Sequence, residues 1–264
     1  MTSTKGATAG EERRQRSRAW LTVPAEAGTT RVKLCGMSRE EDVDAVMAAR
    51  PDLCGFIVDF PKSHRNVSPE RVAELTARMD AAEAAAVEEA ADMAATEAAT
   101  AAEPDAALTA PARTPVWRVG VFVDEPVAEL VRIVRASGLD LAQLHGHEDA
   151  AYIEAVRELA PELGLIQAFK VRTPTDVERA CASPADLVLL DNGQGTGEAF
   201  DWSLCARATR PFMLAGGLAP GNVAEAIQQV RPWGVDMSSG IETGRVKDPA
   251  KIQAAVAAVR GVKL

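Results

Sequence analysis

Two glycine- and serine-rich turns, LAGGL at 214–218 and DMSSG at 236–240, each close a short apolar run and precede a helical pattern. Turns of this kind aim backbone N–H groups and a helix N-terminus at an anion. Tight turning alone accounts for one of them. Two in succession point to a phosphosugar ligand, with Gly216, Gly217, Ser238, Ser239 and Gly240 around the phosphate. Other reactive side chains also stand at the ends of apolar runs: Cys35 after VKL, Gln143 and His145 in LDLAQLH, and Asp191 closing DLVLL. Lys62, Ser63, His64 and Arg65 share one loop. An ionised thiol accepts protons, a carboxyl group serves as acid or base, and a guanidinium offers two parallel donors to a carboxylate. Bland readings compete at each position. A free cysteine is commonly a small buried hydrophobe, as Cys54 inside LCGFIV is expected to be. Asp191 equally suits a loop-capping carboxylate, and His145 a structural hydrogen-bonding group.

The elements that would position these groups repeat along the chain. Eight runs are expected as strands: 32–35, 53–58, 117–123, 139–145, 165–171, 186–191, 211–217 and 234–239. Most are apolar on both faces, the pattern of parallel strands covered by helices. Helix-start chemistry lies between them. Ser38 with Glu41 has capping-box spacing, and Ser68-Pro69, Thr173-Pro174 and Asp248-Pro249 each set a capping side chain before proline. Val223, Ile227 and Val230 follow with helical spacing. Eight strand–helix units in about 200 residues predict an α/β chain folded as a (β/α)8 or TIM barrel, a single domain over 31–264. An open doubly wound sheet would need fewer strands, and no GxGxxG follows the first run.

Two segments stand outside the repeat. Residues 1–30 are expected as a flexible N-terminal extension. Residues 81–112 hold 17 alanines, seven acids and no Lys or Arg, and are expected as a solvated insertion between helix 2 and strand 3, either an exposed helix or disordered. Of 264 residues 25% are charged, with 29 Lys and Arg against 38 Asp and Glu, a net charge of -9. That balance disfavours nucleic acid as a partner. No apolar run approaches the ~18 residues of a membrane span. The four cysteines show neither CxxC spacing nor paired histidines, so no disulfide framework and no metal site is expected. A cytoplasmic location is expected.

KLCGM, PKSHRNVSPERVAEL, VGVFVDE, QLHGHE, LLDNGQGTGEAFDWSL, LAGGLAPGNVAEAI and GVDMSSGIETGRVKDPAKI occur in that order, each on the expected strand or loop. Together they resemble the phosphoribosylanthranilate isomerase family of tryptophan biosynthesis, over residues 31–264 apart from the insertion. The resemblance implies an Amadori rearrangement of N-(5-phosphoribosyl)anthranilate to a carboxyphenylamino-deoxyribulose phosphate, with no cofactor and no metal. It implies Cys35 as general base and Asp191 as general acid, Arg65 on the anthranilate carboxylate, and Gln143 and His145 lining the pocket. For the thiolate it requires an environment that lowers the Cys35 pKa, and for the acid one that raises the Asp191 pKa. Asp236 is expected to orient the phosphate turn. A monomer or homodimer with a small-molecule substrate fits the family.

Some positions depart from the family pattern. Gln194 stands where glycine is usual and Glu198 where lysine is frequent, Asp59 has no assigned role, and the insertion is unusual. Two other readings compete. The histidine-pathway barrel that performs the same rearrangement resembles a duplicated half-barrel with aspartates as both acid and base, whereas here the first strand ends in Cys35 and the LAGG turn occurs once. A catalytically silent barrel that binds a protein partner would have no physical reason to keep Cys35, Asp191 and Arg65.

Overall fold

The structure is a computed structural model that describes residues 7–24, 28–100, 114–191 and 202–264, the side chains of 94–100 excepted. Eight parallel strands form the barrel: β1 (Arg31–Cys35), β2 (Leu53–Val58), β3 (Trp117–Phe122), β4 (Leu141–Leu144), β5 (Gly164–Lys170), β6 (Leu187–Asp191), β7 (Phe212–Leu214) and β8 (Gly234–Met237). Each pairs with its neighbours in sequence, and β1 pairs with both β2 and β8, which closes the ring. All eight expected runs are strands.

Period-two alternation sorts every strand into two rows. On β1, Val32 and Leu34 point outward into the layer between barrel and helices, while Lys33 lies between neighbours inside. Cys54 and Phe56 of β2 face outward in the same way. The outer core collects Val43, Val46, Leu130, Ile153, Val177, Ile227 and Ile252 from the surrounding helices. The inner core is smaller: Leu53, Trp117, Val119, Leu141, Ile166, Leu187, Leu189 and Met213 fill the lower barrel. Burying a large apolar side chain stabilises by ~1.5–3 kcal/mol, so this plug keeps the lower barrel a packed core and leaves reactive groups to the upper rim.

The helices are α1 (Ala9–Thr22), α2 (Glu40–Ala49), α3 (Pro69–Thr100), α4 (Val127–Ala136), α5 (Ala150–Leu159), α6 (Pro174–Cys181), α7 (Val223–Val230) and α8 (Pro249–Arg260). After β6 the connection holds a 3-10 helix, Trp202–Arg207. Ser68, Thr173 and Asp248 cap their helices as expected. At α2 the expectation fails. Asp42, not Glu41, accepts from the Ser38 and Arg39 N–H groups, because the first helical residue is Glu40 and Asp42 is therefore the third. Asp59 takes φ 49° at the end of β2, a left-handed turn that aspartate tolerates and that starts the Lys62–Arg65 loop.

The N-terminal region differs from a flexible extension. Within it, α1 begins with a Thr8/Glu11 capping box and lies across the strand N-termini. Leu21 is 1% exposed and joins the inner core. Arg13 pairs with Asp140 (2.7 Å) and Arg18 with Asp186 (3.3 Å). Arg31 lies over the rings of Trp20 and Trp233, 4.2 and 4.3 Å from their centroids. Arg13 and Arg18 anchor α1 across the barrel floor.

The boundary of the insertion also moves. α3 runs 32 residues, ~48 Å at 1.5 Å per residue. Its side chains stay tied to the barrel as far as Glu83, which accepts from the Val116 N–H (3.1 Å) and from Arg13 (3.3 Å). Beyond it Val87 and Met93 are exposed.

Candidate active site

The C-terminal mouth of the barrel encloses a cavity of about 390 Å3 lined by Cys35, Arg65, Gln143, His145, Asp191, Gly216, Gly217, Asp236, Ser238 and Ser239, with Ile57, Phe60 and Val121 as apolar wall. Apart from Gly240, every proposed site residue meets there. Gly240 stands directly behind: any side chain on it would overlap the Leu218 carbonyl and crowd Ala219, so the two glycine turns pack against each other. The first turn has φ 92° at Gly216 and 66° at Gly217, then enters α7 through Asn222, whose side chain accepts from the Ala219 N–H and donates to the Gly217 carbonyl. The second makes a single 3-10 turn, Ser239–Ile241.

Cys35 ends β1 at 6% exposure. Ser238 Oγ donates to its carbonyl (3.0 Å), joining the first strand to the eighth. Gly36 follows at φ 85°, and a Cβ there would stand 2.5 Å from Arg65 Cδ. Glycine is required so that Arg65 can cross above the thiol strand. Burial pushes the Cys35 thiol up, and Asp236 adds to this, while Lys33 and Lys247 pull it down. The net direction is upward, a correction to the lowered thiol expected for the base role; the downward pull comes from two buried lysines. Lys33 Nζ donates to both Asp236 oxygens, at 3.1 and 3.0 Å. Asp236 thus faces into the barrel as the partner of Lys33, a correction to its expected role in orienting the phosphate turn.

Arg65 donates from Nε to Glu242 Oε1 (2.5 Å) and from Nη2 to Oε2 (2.9 Å). One edge of the guanidinium is therefore held by protein and the other end is turned to the cavity it lines. Lys247 Nζ donates to Glu242 (2.7 Å) and to the Ser238 carbonyl (2.9 Å). Burial alone would raise the Glu242 pKa, but hydrogen bonds from Arg65 and Lys247 outweigh it and hold it at about 2. Neither Glu242 nor Lys33 nor Lys247 was singled out from sequence. The signal available was weak: a charged residue at an inward position of an otherwise apolar strand, as Lys33 is.

Across the mouth, Gln143 Nε2 and His145 Nδ1 are 2.9 Å apart, and His145 Nε2 is 4.0 Å from Asp191 Oδ2. With Nδ1 accepting, the ring carries its proton on Nε2, toward Asp191. Burial lowers the His145 pKa against the pull of Asp191, which favours this neutral ring. Gln143 Oε1 is buried and has no hydrogen-bond partner among the described residues. Lys62 turns over Phe60, 6.0 Å from the ring centroid, and His64 approaches Glu242 at 3.8 Å, so of the loop Arg65 is the cation in the cavity. Among the described residues no group of three His, Cys, Asp or Glu side chains could hold a metal ion. Among the described residues no helix is long and apolar enough to cross a membrane. Gln194 and Glu198 lie outside the described residues.

Comparison with known proteins matches residues 78–258 to the PRAI family, N-(5'phosphoribosyl)anthranilate (PRA) isomerase. An N-(5'-phosphoribosyl)anthranilate isomerase of Pseudomonas fluorescens is 40% identical over 239 residues, 87% of this chain and 95% of that protein. The enzyme of the same name from Chromohalobacter salexigens is 38% identical, with 85% and 92% covered. Among solved structures, phosphoribosyl anthranilate isomerase from Thermotoga maritima aligns with a TM-score of 0.66 at 32% identity, covering 89% of this chain and all of that one. A phosphoribosyl anthranilate isomerase in complex with reduced 1-(o-carboxyphenylamino)-1-deoxyribulose 5-phosphate aligns equally well, with a TM-score of 0.66 at 31% identity and the same coverage.

Proposed function

Because the chain belongs to the N-(5'-phosphoribosyl)anthranilate isomerase family, we propose that Cys35 and Asp191 are the base and acid of its isomerisation and that Arg65 and the two glycine turns hold the substrate. The protein is an isomerase of tryptophan biosynthesis. The observation that carries the assignment of residues is a single cavity in which Cys35 and Asp191 line the wall together with Arg65 and both turns. An elongated ligand with a phosphate at one end and a carboxylate at the other suits that order of groups.

The chemistry follows from where the protons must go. Asp191 gives a proton to the ring oxygen as the bond from that oxygen to the anomeric carbon breaks, and the anilino nitrogen supplies the electrons that form the Schiff base. The Cys35 thiolate then removes the proton from the second sugar carbon, giving an enolamine. Tautomerisation, with a proton returned to the first carbon and lost from the second hydroxyl, completes the ketone without net gain or loss. His145 stands beside Asp191, 4.0 Å away, on the same wall of the cavity. Backbone N–H groups around Gly217 and Ser239-Gly240 take the phosphate, and the open end of Arg65 takes the anthranilate carboxylate. A small-molecule substrate suits the cavity, and our reading is of a cytoplasmic enzyme that works as a monomer or homodimer.

Steady-state turnover of phosphoribosylanthranilate generated in situ tests the reaction. Titration of Arg65→Ala tests the placement of substrate: an anthranilate-bearing product analogue should lose at least ~1.4 kcal/mol, tenfold, while a plain phosphosugar binds within about twofold. Equal losses for both ligands would remove Arg65 from the carboxylate.

A further inference from the structure

Lys33 has no exposure at all and is among the largest fully buried side chains of the described residues. It sits in the middle of β1, in the inward row between Arg31 on the floor and Cys35 at the mouth. Asp236 stands beside it in register on β8 and accepts from its ammonium through both oxygens. Desolvating such a pair costs several kcal/mol per ion, and apolar residues of similar volume commonly serve stability as well or better. The inner core around it is apolar, with Leu53 directly across on β2. Stability gives no reason to place a lysine there.

The neighbouring strand gives one. Leu53, Gly55 and Ile57 form the inward row of β2, and the middle position lacks a side chain. A Cβ built on Gly55 would lie 2.8 Å from Cys35 Sγ and 3.1 Å from Lys33 Nζ. The thiol and the ammonium thus converge on one point that β2 leaves empty. We propose that Lys33 is a positioning residue for the base: its buried ammonium, held by Asp236, is the counter-ion of the Cys35 thiolate. This rests on the reading of Cys35 as the base. Lys33 itself neither takes nor gives a proton. When the thiolate removes the substrate proton, the negative charge passes to the enolamine and the ammonium stays where Asp236 holds it.

The other groups around Cys35 are accounted for. Asp236, from β8, opposes the thiolate but is neutralised by Lys33 itself. Lys247, from the hairpin after β8, favours it, though its charge is shared with Glu242. Arg65 crosses over Gly36 with its charge matched by Glu242. Cys54 is the titratable residue of β2 and faces the outer core. His145 and Asp191 stand across the cavity. Of the two cations in the thiol's row of β1, Arg31 is stacked on Trp20 and Trp233 at the floor and Lys33 is the one next to Cys35.

The test compares full-length Lys33→Met, the charge-balanced Lys33→Met/Asp236→Asn and Asp236→Asn, with Cys35→Ser subtracted to remove the other three thiols. Ultraviolet absorbance of the thiolate against pH should show Cys35 titrating at least ~1 pH unit higher, tenfold, in both Lys33 variants. It should titrate lower in Asp236→Asn, which removes the opposing charge and spares the ammonium. The acid limb of kcat/KM should move with the thiol, while KM stays within about threefold. Opposite displacements in the two single variants are what a purely structural pair would not produce, and the Asp236→Asn arm stands even if neither Lys33 variant folds. An unmoved thiol in folded variants, or a shift of the same sign in both directions, overturns the proposal, and Cys35→Ala would still be inactive. A Cys35→Ala enzyme with normal turnover instead overturns the base reading, whatever the thiol titrations show.

Discussion

The two mouths of this barrel are built from the same eight strands and use charge in opposite ways. At the floor, among the described residues, charge is covered: Arg31 is stacked on Trp20 and Trp233, and Arg13 and Arg18 of α1 pair with Asp140 and Asp186. At the upper mouth Cys35, Asp191, His145 and Arg65 border a cavity. Among the described residues Arg65 is bonded to Glu242 along one edge, and Gln143 Oε1 has no hydrogen-bond partner. The floor is where apolar burial and ion pairing hold the ring closed. The mouth differs in that its polar groups line a cavity that a ligand can enter. A single strand, β1, carries the gradient: Arg31 sealed, Lys33 buried and paired, Cys35 at the cavity.

The contrast breaks most sharply at two cysteines on adjacent strands. Cys35 and Cys54 are aligned neighbours in the ladder, one register step apart, yet they belong to opposite faces. Cys35→Ala and Asp191→Asn should each lower kcat by at least ~10²-fold in steady-state assays. Cys54→Ala, whose thiol burial pushes far above the ordinary range, should cost stability in urea unfolding and leave turnover unchanged. Near-normal kcat in Cys35→Ala would end the mechanism.

At the floor the ranking reverses. Leu21→Ala removes an inner-core side chain contributed by α1 and should destabilise by ~2–4 kcal/mol in chemical denaturation. Its kcat, measured below the unfolding transition, should stay within about threefold. A large loss of turnover in the folded variant would mean that the floor is coupled to the mouth.

Between the extremes stands Glu242, which holds Arg65 and Lys247 without facing the reacting atoms. Its pKa is lowered from 4.5 to about 2, so the folded state favours the ionised form. That stabilisation is fully present above the unfolded value near 4.5 and is lost as pH falls through about 2. Glu242→Gln should therefore be less stable at neutral pH and should show a flatter loss of stability across that window. Parallel acid-unfolding curves for both proteins would show that Glu242 contributes nothing to the fold.

The smallest effect is expected from the Ala-rich arm. A deletion starting at Ala86 and ending at Ala112 should leave kcat and KM within about threefold, since loop closure grows only logarithmically with length. Starting the deletion at Ala81 also removes Glu83, with its bonds to Val116 and Arg13, and should lower thermal stability by about 1 kcal/mol more. Equal melting temperatures for the two deletions would show that Glu83 is not an anchor. Loss of activity in the shorter deletion would place the arm at the cavity.

What could be read from sequence were the features whose causes are local. Apolar runs of strand length marked all eight strands, and capping residues beside proline marked three helix starts. Cys35, Asp191 and the glycine turns stood out because each ends a run. Local rules also set the errors. At α2 a one-residue difference in where the helix begins moved the cap from Glu41 to Asp42. Residues 1–30 read as a flexible extension because the partners of α1, Asp140 and Asp186, are distant in sequence.

The remaining features have non-local causes. Lys33 meets Asp236 across 203 positions of sequence, Arg65 meets Glu242 across 177, and Arg18 finds Asp186 across 168. No period or motif encodes such pairs. They exist because ring closure sets the first strand against the eighth, and because alternation along each strand turns those particular side chains to the same interior. The sequence by itself determined which residues would form strands and which chemically capable groups would stand at their ends. The tertiary structure alone decided which charges would neutralise one another, and hence that Cys35 faces an ammonium while Cys54, one residue along the neighbouring ladder, faces only the core.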